Sequence, residues 1–186
     1  MTAGVVASAP SRTAPLAVGI WFLAALFFGP WLFTHLAFPG PQLIVLALAV
    51  TAALTLGRWL ATLSWTALVG MHGLRLIGIW FVILGAQGSL AASFATRAGW
   101  GDFAAALGAI ALVVAKWPPK WLAYTWNSFG LLDLLVAVGT ATAVVQSGAV
   151  PGVQPLTHLP LNLVPTFFVP FFIATHIAIY RRLNAV

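Results

Sequence analysis

The chain has 186 residues, of which 62% are apolar and only 5% charged, and its mean hydropathy is +1.05. A water-soluble domain carries about a quarter charged residues, so this composition excludes a soluble globular protein and predicts an integral membrane protein. The net charge of +6 comes from eight basic residues near the ends of apolar runs, which leaves no basic face for nucleic acid, and the absence of cysteine excludes disulfides and thiolate metal sites.

Six apolar runs follow a polar stretch at residues 1–14 that we expect to be a mobile tail. The runs cover residues 15–38, 42–63, 72–96, 102–116, 126–145 and 156–180. Most of them approach the roughly 20 apolar residues that a helix needs to cross the hydrocarbon core. Glycine and proline predict turns at residues 39–41 and 98–101. The sequence therefore predicts one all-α integral membrane bundle of six transmembrane helices over residues 15–186.

The fourth run, residues 102–116, is short and rich in alanine and glycine. Small residues allow helix backbones to approach closely inside a membrane. We therefore expect this span near the middle of the bundle.

Basic residues are distributed unequally between the two ends of these spans. If the N-terminus is cytoplasmic, seven basic residues fall on the cytoplasmic side and only Arg97 on the other. Cytoplasmic loops carry an excess of Lys and Arg, so we predict that both termini are cytoplasmic. The cytoplasmic set is Arg12, Arg58, Arg75, Lys116, Lys120, Arg181 and Arg182.

The sixth span contains prolines at five-residue intervals, at Pro160, Pro165 and Pro170. Each proline removes a backbone donor and frees a carbonyl about one turn earlier. Freed carbonyls at membrane depth must be satisfied by protein or by water in a cavity, and such broken helices line binding sites in transporters. The sequence predicts a proline-broken sixth helix, which either lines a site or is only kinked.

Asp133 is the most unusual residue, because it lies in an otherwise apolar run in the fifth span. Counted from the span ends, Asp133, His176 and Arg75 have matching depths. A pair of Asp133 and Arg75 would be structural, whereas a pair of Asp133 and His176 could relay a proton. We predict a ligand-binding or proton-relay site between the third, fifth and sixth spans. Its candidate residues are Asp133, His176, Arg75, Asn127, Asn162 and Thr166.

The four histidines permit two further kinds of site, although the sequence identifies no cofactor. His35 and His158 are expected near the outer surface and His72 and His176 near the inner one, so each pair could ligate a haem. A metal ion could be held at the outer surface by His35, His158 and Asp102. The two aspartates are expected on opposite sides of the membrane, and we find no nucleophile–base pair that would favour an enzyme.

Three stretches resemble a family of small, uncharacterised multi-pass proteins of the bacterial inner membrane. They are AGWGD at residues 98–102, WNSFGLLDL at 126–134 and LPLNLVPTF at 159–167. The resemblance covers about the second half of the chain. It implies a membrane location and that the aspartates and the proline-rich span belong together, but it implies no activity, cofactor or catalytic residue.

These observations favour a small membrane protein that binds or transports a small molecule or ion. One alternative is an accessory structural subunit of a larger membrane complex, and a second is a haem-binding electron carrier. The expected partners are the lipid bilayer and either another protein or further copies of this chain, and nucleic acid is not among them.

Overall fold

The computed structural model describes residues 13–116 and 118–185. Except for its last two residues, the predicted tail of residues 1–14 lies outside this part of the chain. Every regular element among the described residues is a helix, and five helical stretches are long and apolar enough to cross a membrane. These stretches are Thr13–His35, Trp65–Ala86, Ala92–Val114, Lys120–Ser147 and Val164–Asn184. The prediction of an all-α membrane protein is thereby confirmed.

The first two helices are joined by a short turn. Helix α1 spans Thr13–His35 and α2 spans Gly40–Thr55, which is followed by the single turn α3, Gly57–Leu60. Pro41 lies in the first turn of α2, where its missing N–H has no intrahelical partner to lose. With 16 residues, α2 is shorter than the roughly 20 residues that cross the hydrocarbon core.

The predicted boundary between the third and fourth spans is wrong. The third helical stretch consists of α4 (Trp65–Gly70), a 3-10 segment (Met71–Ile77) and α5 (Gly78–Ala86). This helical stretch ends just before Gly88, whose φ of +69° favours glycine. Helix α6 then runs over Ala92–Val114, straight through the turn predicted at residues 98–101, so the fourth span has 23 residues and is not short.

The glycines that suggested a turn at residues 98–101 serve helix packing instead. A Cβ at Gly99 would lie 2.5 Å from Val82 Cγ2 and 2.8 Å from the Gly78 carbonyl oxygen. Small residues let two membrane helices approach at this distance. Helix α6 contacts α4, the 3-10 segment, α5 and α7, and its residues Ala105, Ala106 and Ala109 are completely buried.

The last part of the chain contains the predicted proline break, but its regular helix begins later than expected. Helix α7 spans Lys120–Ser147 and ends at Gly148, which has a φ of +62°. A 3-10 turn at Gln154–Thr157 and a π-helical segment at Val164–Phe168 precede α8, Val169–Asn184. Pro160 lies before the π segment, Pro165 within it and Pro170 in the first turn of α8. Only the N-terminal part of the predicted sixth span therefore departs from α-helical geometry.

Candidate functional site

Arg75 lies at the centre of the bundle with 1% of its surface exposed. It belongs to the 3-10 segment Met71–Ile77, in which residues three apart lie on the same face. His72 and Arg75 therefore point the same way, and both are buried. This local geometry brings two polar side chains of one helix into the centre of the bundle.

Arg75 binds two carboxylates that belong to different helices. Its Nε donates to Asp102 Oδ1 on α6 at 2.7 Å, and its Nη2 donates to Asp133 Oδ2 on α7. Its Nη1 donates to the Gly130 carbonyl oxygen at 3.1 Å. The guanidinium thus joins three segments of the bundle through charge-assisted hydrogen bonds, which are stronger than those between neutral groups.

The expectation that the two aspartates lie on opposite sides of the membrane is wrong, because both bind Arg75. Asp102 was expected at the outer surface because residues 98–101 were interpreted as a turn. In the continuous helix α6, Asp102 shares a face with the buried Ala98, Ala105 and Ala109. That alanine face is the signal by which the sequence could have placed Asp102 in the interior.

His176 on α8 and Asn127 on α7 form a reciprocal pair. Asn127 Nδ2 donates to the His176 carbonyl oxygen at 3.1 Å, so its Oδ1 accepts from His176 Nδ1 at 2.7 Å. The remaining ring nitrogen, Nε2, lies 3.4 Å from Arg75 Nη1. A guanidinium can only donate, so His176 Nε2 is an acceptor and the ring is neutral in this arrangement.

His72 completes the group. Thr175 Oγ1 donates to the Phe172 carbonyl oxygen at 2.8 Å and therefore accepts from His72 Nε2 at 3.0 Å. His72 Nδ1 is buried and has no hydrogen-bond partner among the residues that the structure describes. The His72 and His176 ring centroids are 4.3 Å apart. We define the Arg75 cluster as Arg75, Asp102, Asp133, His72, His176 and Asn127.

Two glycines make room for the cluster. A Cβ at Gly130 would lie 2.6 Å from His176 Cε1 and 3.2 Å from Arg75 Nη1, and a Cβ at Gly101 would overlap Asp133 Oδ1. A methyl group at either position would therefore displace a charged or polar side chain.

The structure brings together four of the six candidate residues but not Asn162 and Thr166. Asn162 Nδ2 donates to the Ala25 carbonyl oxygen of α1 at 3.1 Å, and Trp21 Nε1 of α1 donates to the Thr166 carbonyl oxygen at 3.1 Å. In a continuous α-helix, steps of three and four residues would bring Asn162, Thr166 and His176 to one face. Residues 164–168 instead form a π-helix with a different spacing. Both residues consequently pack against α1, away from Arg75.

The inner histidine pair proposed for haem and the outer set proposed for a metal ion do not fit the observed geometry. His72 and His176 are in ring contact, which leaves no space for a porphyrin between them. His35 and His158 are exposed, and Asp102 is buried against Arg75, so the predicted outer metal set is not assembled. Among the residues that the structure describes, no group of three His, Asp or Glu side chains is suited to hold a metal ion.

A separate cavity of about 370 Å³ lies between the C-terminal end of α1, the start of α2 and the second half of α7. Its wall includes Phe33, Val45, Val138 and Pro165, and none of its lining residues is charged. Gln42 also lines it, and the Oε1 of this residue is buried with no hydrogen-bond partner in the described part of the chain. This space suits an uncharged, mainly apolar molecule.

Comparison with known proteins identifies the family of this chain but assigns it no activity. A family model described as a domain of unknown function, DUF8737, matches residues 31–184. The chain belongs to this family. The prediction of an uncharacterised family is thereby confirmed, and the match extends well beyond the second half of the chain. No curated protein and no solved structure matches. All residues of the Arg75 cluster lie within the DUF8737 match, whereas most of α1 precedes it.

Proposed function

We propose that this DUF8737 protein binds a small ion or molecule at the Arg75 cluster and moves it across the membrane. The observation that carries the proposal is the grouping of an arginine, two aspartates and two histidines inside membrane-spanning helices. The arginine and both histidines are buried, and the two aspartate side chains are at most 12% exposed. Ionisable groups at membrane depth are costly, and they mark ion pathways, substrate sites and proton relays. The cluster joins the third, fourth, fifth and sixth predicted spans, which is the kind of position that a transport site occupies.

We further propose that the chain crosses the bacterial inner membrane six times and that both termini lie in the cytoplasm. The turn α3 extends α2 as far as Leu60, which gives this second helix a length closer to that of a span. Arg182 Nη1 donates to the Leu63 carbonyl oxygen at 2.7 Å, so the end of α8 lies beside the end of the second span. This places basic residues of both spans at one end of the bundle, in agreement with a cytoplasmic location.

The uncharged cavity offers a space for a transported molecule, at a different position from the Arg75 cluster. Pro165 lines the cavity and precedes His176 on the same helical stretch, and Val138 follows Asp133 on α7. Movements of these two helices would therefore affect both places. An uncharged substrate in the cavity and an ion at the cluster are together compatible with coupled transport.

The proposal is tested by reconstituting the protein in lipid vesicles that contain dyes for pH and for sodium. A potassium gradient with valinomycin imposes a membrane potential, and the entry of protons and sodium ions is recorded. We expect one of these ions to enter faster than in vesicles without protein, and Asp133→Asn to abolish the difference. Arg97→Gln, at an exposed position, is the matched control and should behave as wild type. Entry at the protein-free rate for both ions would contradict the proposal.

An accessory subunit of a membrane complex is the second candidate, and the surface of α1 favours it. This helix is apolar except at its two ends, and only Ala14, Ala25 and Gly29 are buried along it. Its outer face would then contact another protein rather than lipid. Stoichiometric co-purification of a partner in mild detergent would support this candidate, and a homogeneous single species would count against it.

A further inference from the structure

The charges of the Arg75 cluster do not balance. Arg75 is within ion-pair distance of both Asp102 and Asp133, and among the described residues neither carboxylate has a second cationic partner. One positive and two negative charges leave a single negative charge in excess. An uncompensated buried charge is strongly unfavourable, so such groups are normally neutralised.

The histidines do not supply the missing positive charge in the observed arrangement. His176 Nε2 accepts from Arg75, and an imidazolium at this position would place two donors against each other. His72 donates from Nε2 to Thr175, and a second N–H at its Nδ1 would have no hydrogen-bond acceptor among the described residues, so this ring is also neutral. The excess negative charge therefore remains with the two aspartates.

We propose that the Arg75 cluster binds one exchangeable proton, which is held by the carboxyl groups of Asp102 and Asp133. Uptake forms one O–H bond on a carboxylate oxygen and makes the cluster electrically neutral, without any other change in bonding. This inference rests on the proposed function, since it names the ion that the cluster would bind.

A second observation points to the same ligand. His72 is completely buried, and its Nδ1 presents a lone pair to which nothing in the described chain donates. This nitrogen is therefore a vacant hydrogen-bond acceptor within the Arg75 cluster, which is consistent with a site that binds protons. The charged and titratable groups around this proton are Asp102 from α6, Asp133 from α7, His176 from α8, and His72 and Arg75 from the 3-10 segment.

Infrared spectroscopy tests the proposal directly, because the whole chain contains only two acidic side chains. The protein in lipid nanodiscs at neutral pH should show the C=O band of a single protonated carboxylic acid, which shifts in D₂O. Asp102→Asn and Asp133→Asn should each abolish this band, because the remaining carboxylate is then balanced by Arg75. The C-terminal carboxyl group is the same in every variant and cancels in the difference spectra.

Two results would overturn the inference. A wild-type spectrum without the band would exclude a bound proton. If the thermal midpoint of the protein then rises with sodium concentration, the ligand is a metal cation. A band that disappears in only one of the two variants would assign the proton to one isolated carboxyl group rather than to the shared excess charge. Retention of the wild-type thermal midpoint in the Asn variants is the folding control.

The infrared spectra test the bound proton, and the vesicle experiment tests transport, so the two claims can be contradicted separately. A band without ion entry would leave the proton site in place and remove transport. Sodium entry without a band would keep transport and exclude the proton as the ligand.

Discussion

The two polar regions of the bundle are stabilised in different ways. Around Arg75, two carboxyl groups from different helices share one guanidinium. Between α1 and the proline-rich segment, neutral hydrogen bonds connect Trp21 to Thr166 and Asn162 to Ala25. Removing a neutral bond costs about 1–3 kcal/mol, whereas removing one partner of a buried ion pair costs about 3–5 kcal/mol. We therefore interpret the prolines as part of a structural contact, and the ion site that we propose is at the Arg75 cluster.

The largest effect is expected for Arg75→Met, which leaves two carboxylates without a cation. We expect a loss of about 3–5 kcal/mol in the free energy of unfolding, or failure to accumulate in the membrane. Thermal unfolding in detergent measures this loss. Arg97→Met removes an exposed arginine and should change stability little. Equal effects of the two substitutions would contradict a central role for Arg75.

Gly130→Ala should come next, because its methyl group would collide with His176 and crowd Arg75. Overpacking of this kind costs about 1–3 kcal/mol. Gly139→Ala on the same helix is the matched control, since a Cβ at Gly139 would have no atom within 4 Å. The control should be neutral or slightly stabilising, as alanine favours helix. Similar stability of both variants would show that α7 and α8 are not packed as described.

A smaller loss is expected for Trp21→Phe, which keeps an aromatic ring but removes the donor to the Thr166 carbonyl oxygen. Leaving this carbonyl without its partner should cost about 1 kcal/mol, measured by chemical unfolding. Trp31→Phe on the exposed side of α1 makes the same change without such a bond and should have little effect. Unchanged ion entry by Trp21→Phe would support the structural role of this region.

The smallest effect is expected for Pro170→Ala. Pro170 follows Thr166 by four residues and has no N–H to give to the Thr166 carbonyl oxygen, to which Trp21 donates instead. Alanine restores that donor, so Trp21→Phe should cost less in the Pro170→Ala background. A double-mutant cycle should give a coupling energy of about 0.5–1 kcal/mol. Strict additivity of the two substitutions would contradict this explanation.

The sequence predicted the class of fold and part of the cluster for identifiable reasons. Apolar run length indicated membrane helices, and depth counted from the span ends placed Asp133, His176 and Arg75 together. Depth alone does not say which helices are neighbours, so it left open whether Arg75 or His176 pairs with Asp133. In the structure Arg75 forms the ion pair and His176 contacts Arg75.

The errors arose where local sequence signals have two physical meanings. Glycine at residues 99 and 101 was interpreted as a turn but allows α6 to pack closely against α5 and α7. That error shortened the fourth span and hid the pairing of Asp102 with Arg75. In the same way, the spacing of Asn162, Thr166 and His176 indicated one face only as long as the segment was α-helical.

The central claim is that one arginine serves both aspartates, and a charge-balanced set of variants tests it most directly. Thermal midpoints in lipid nanodiscs would be compared for Arg75→Met alone and for Arg75→Met combined with Asp102→Asn and Asp133→Asn. Removing all three charges from a buried network is often tolerated, whereas removing one partner is not. We expect the triple variant to be clearly more stable than Arg75→Met alone. A triple variant no more stable than the single one would contradict the shared ion pair.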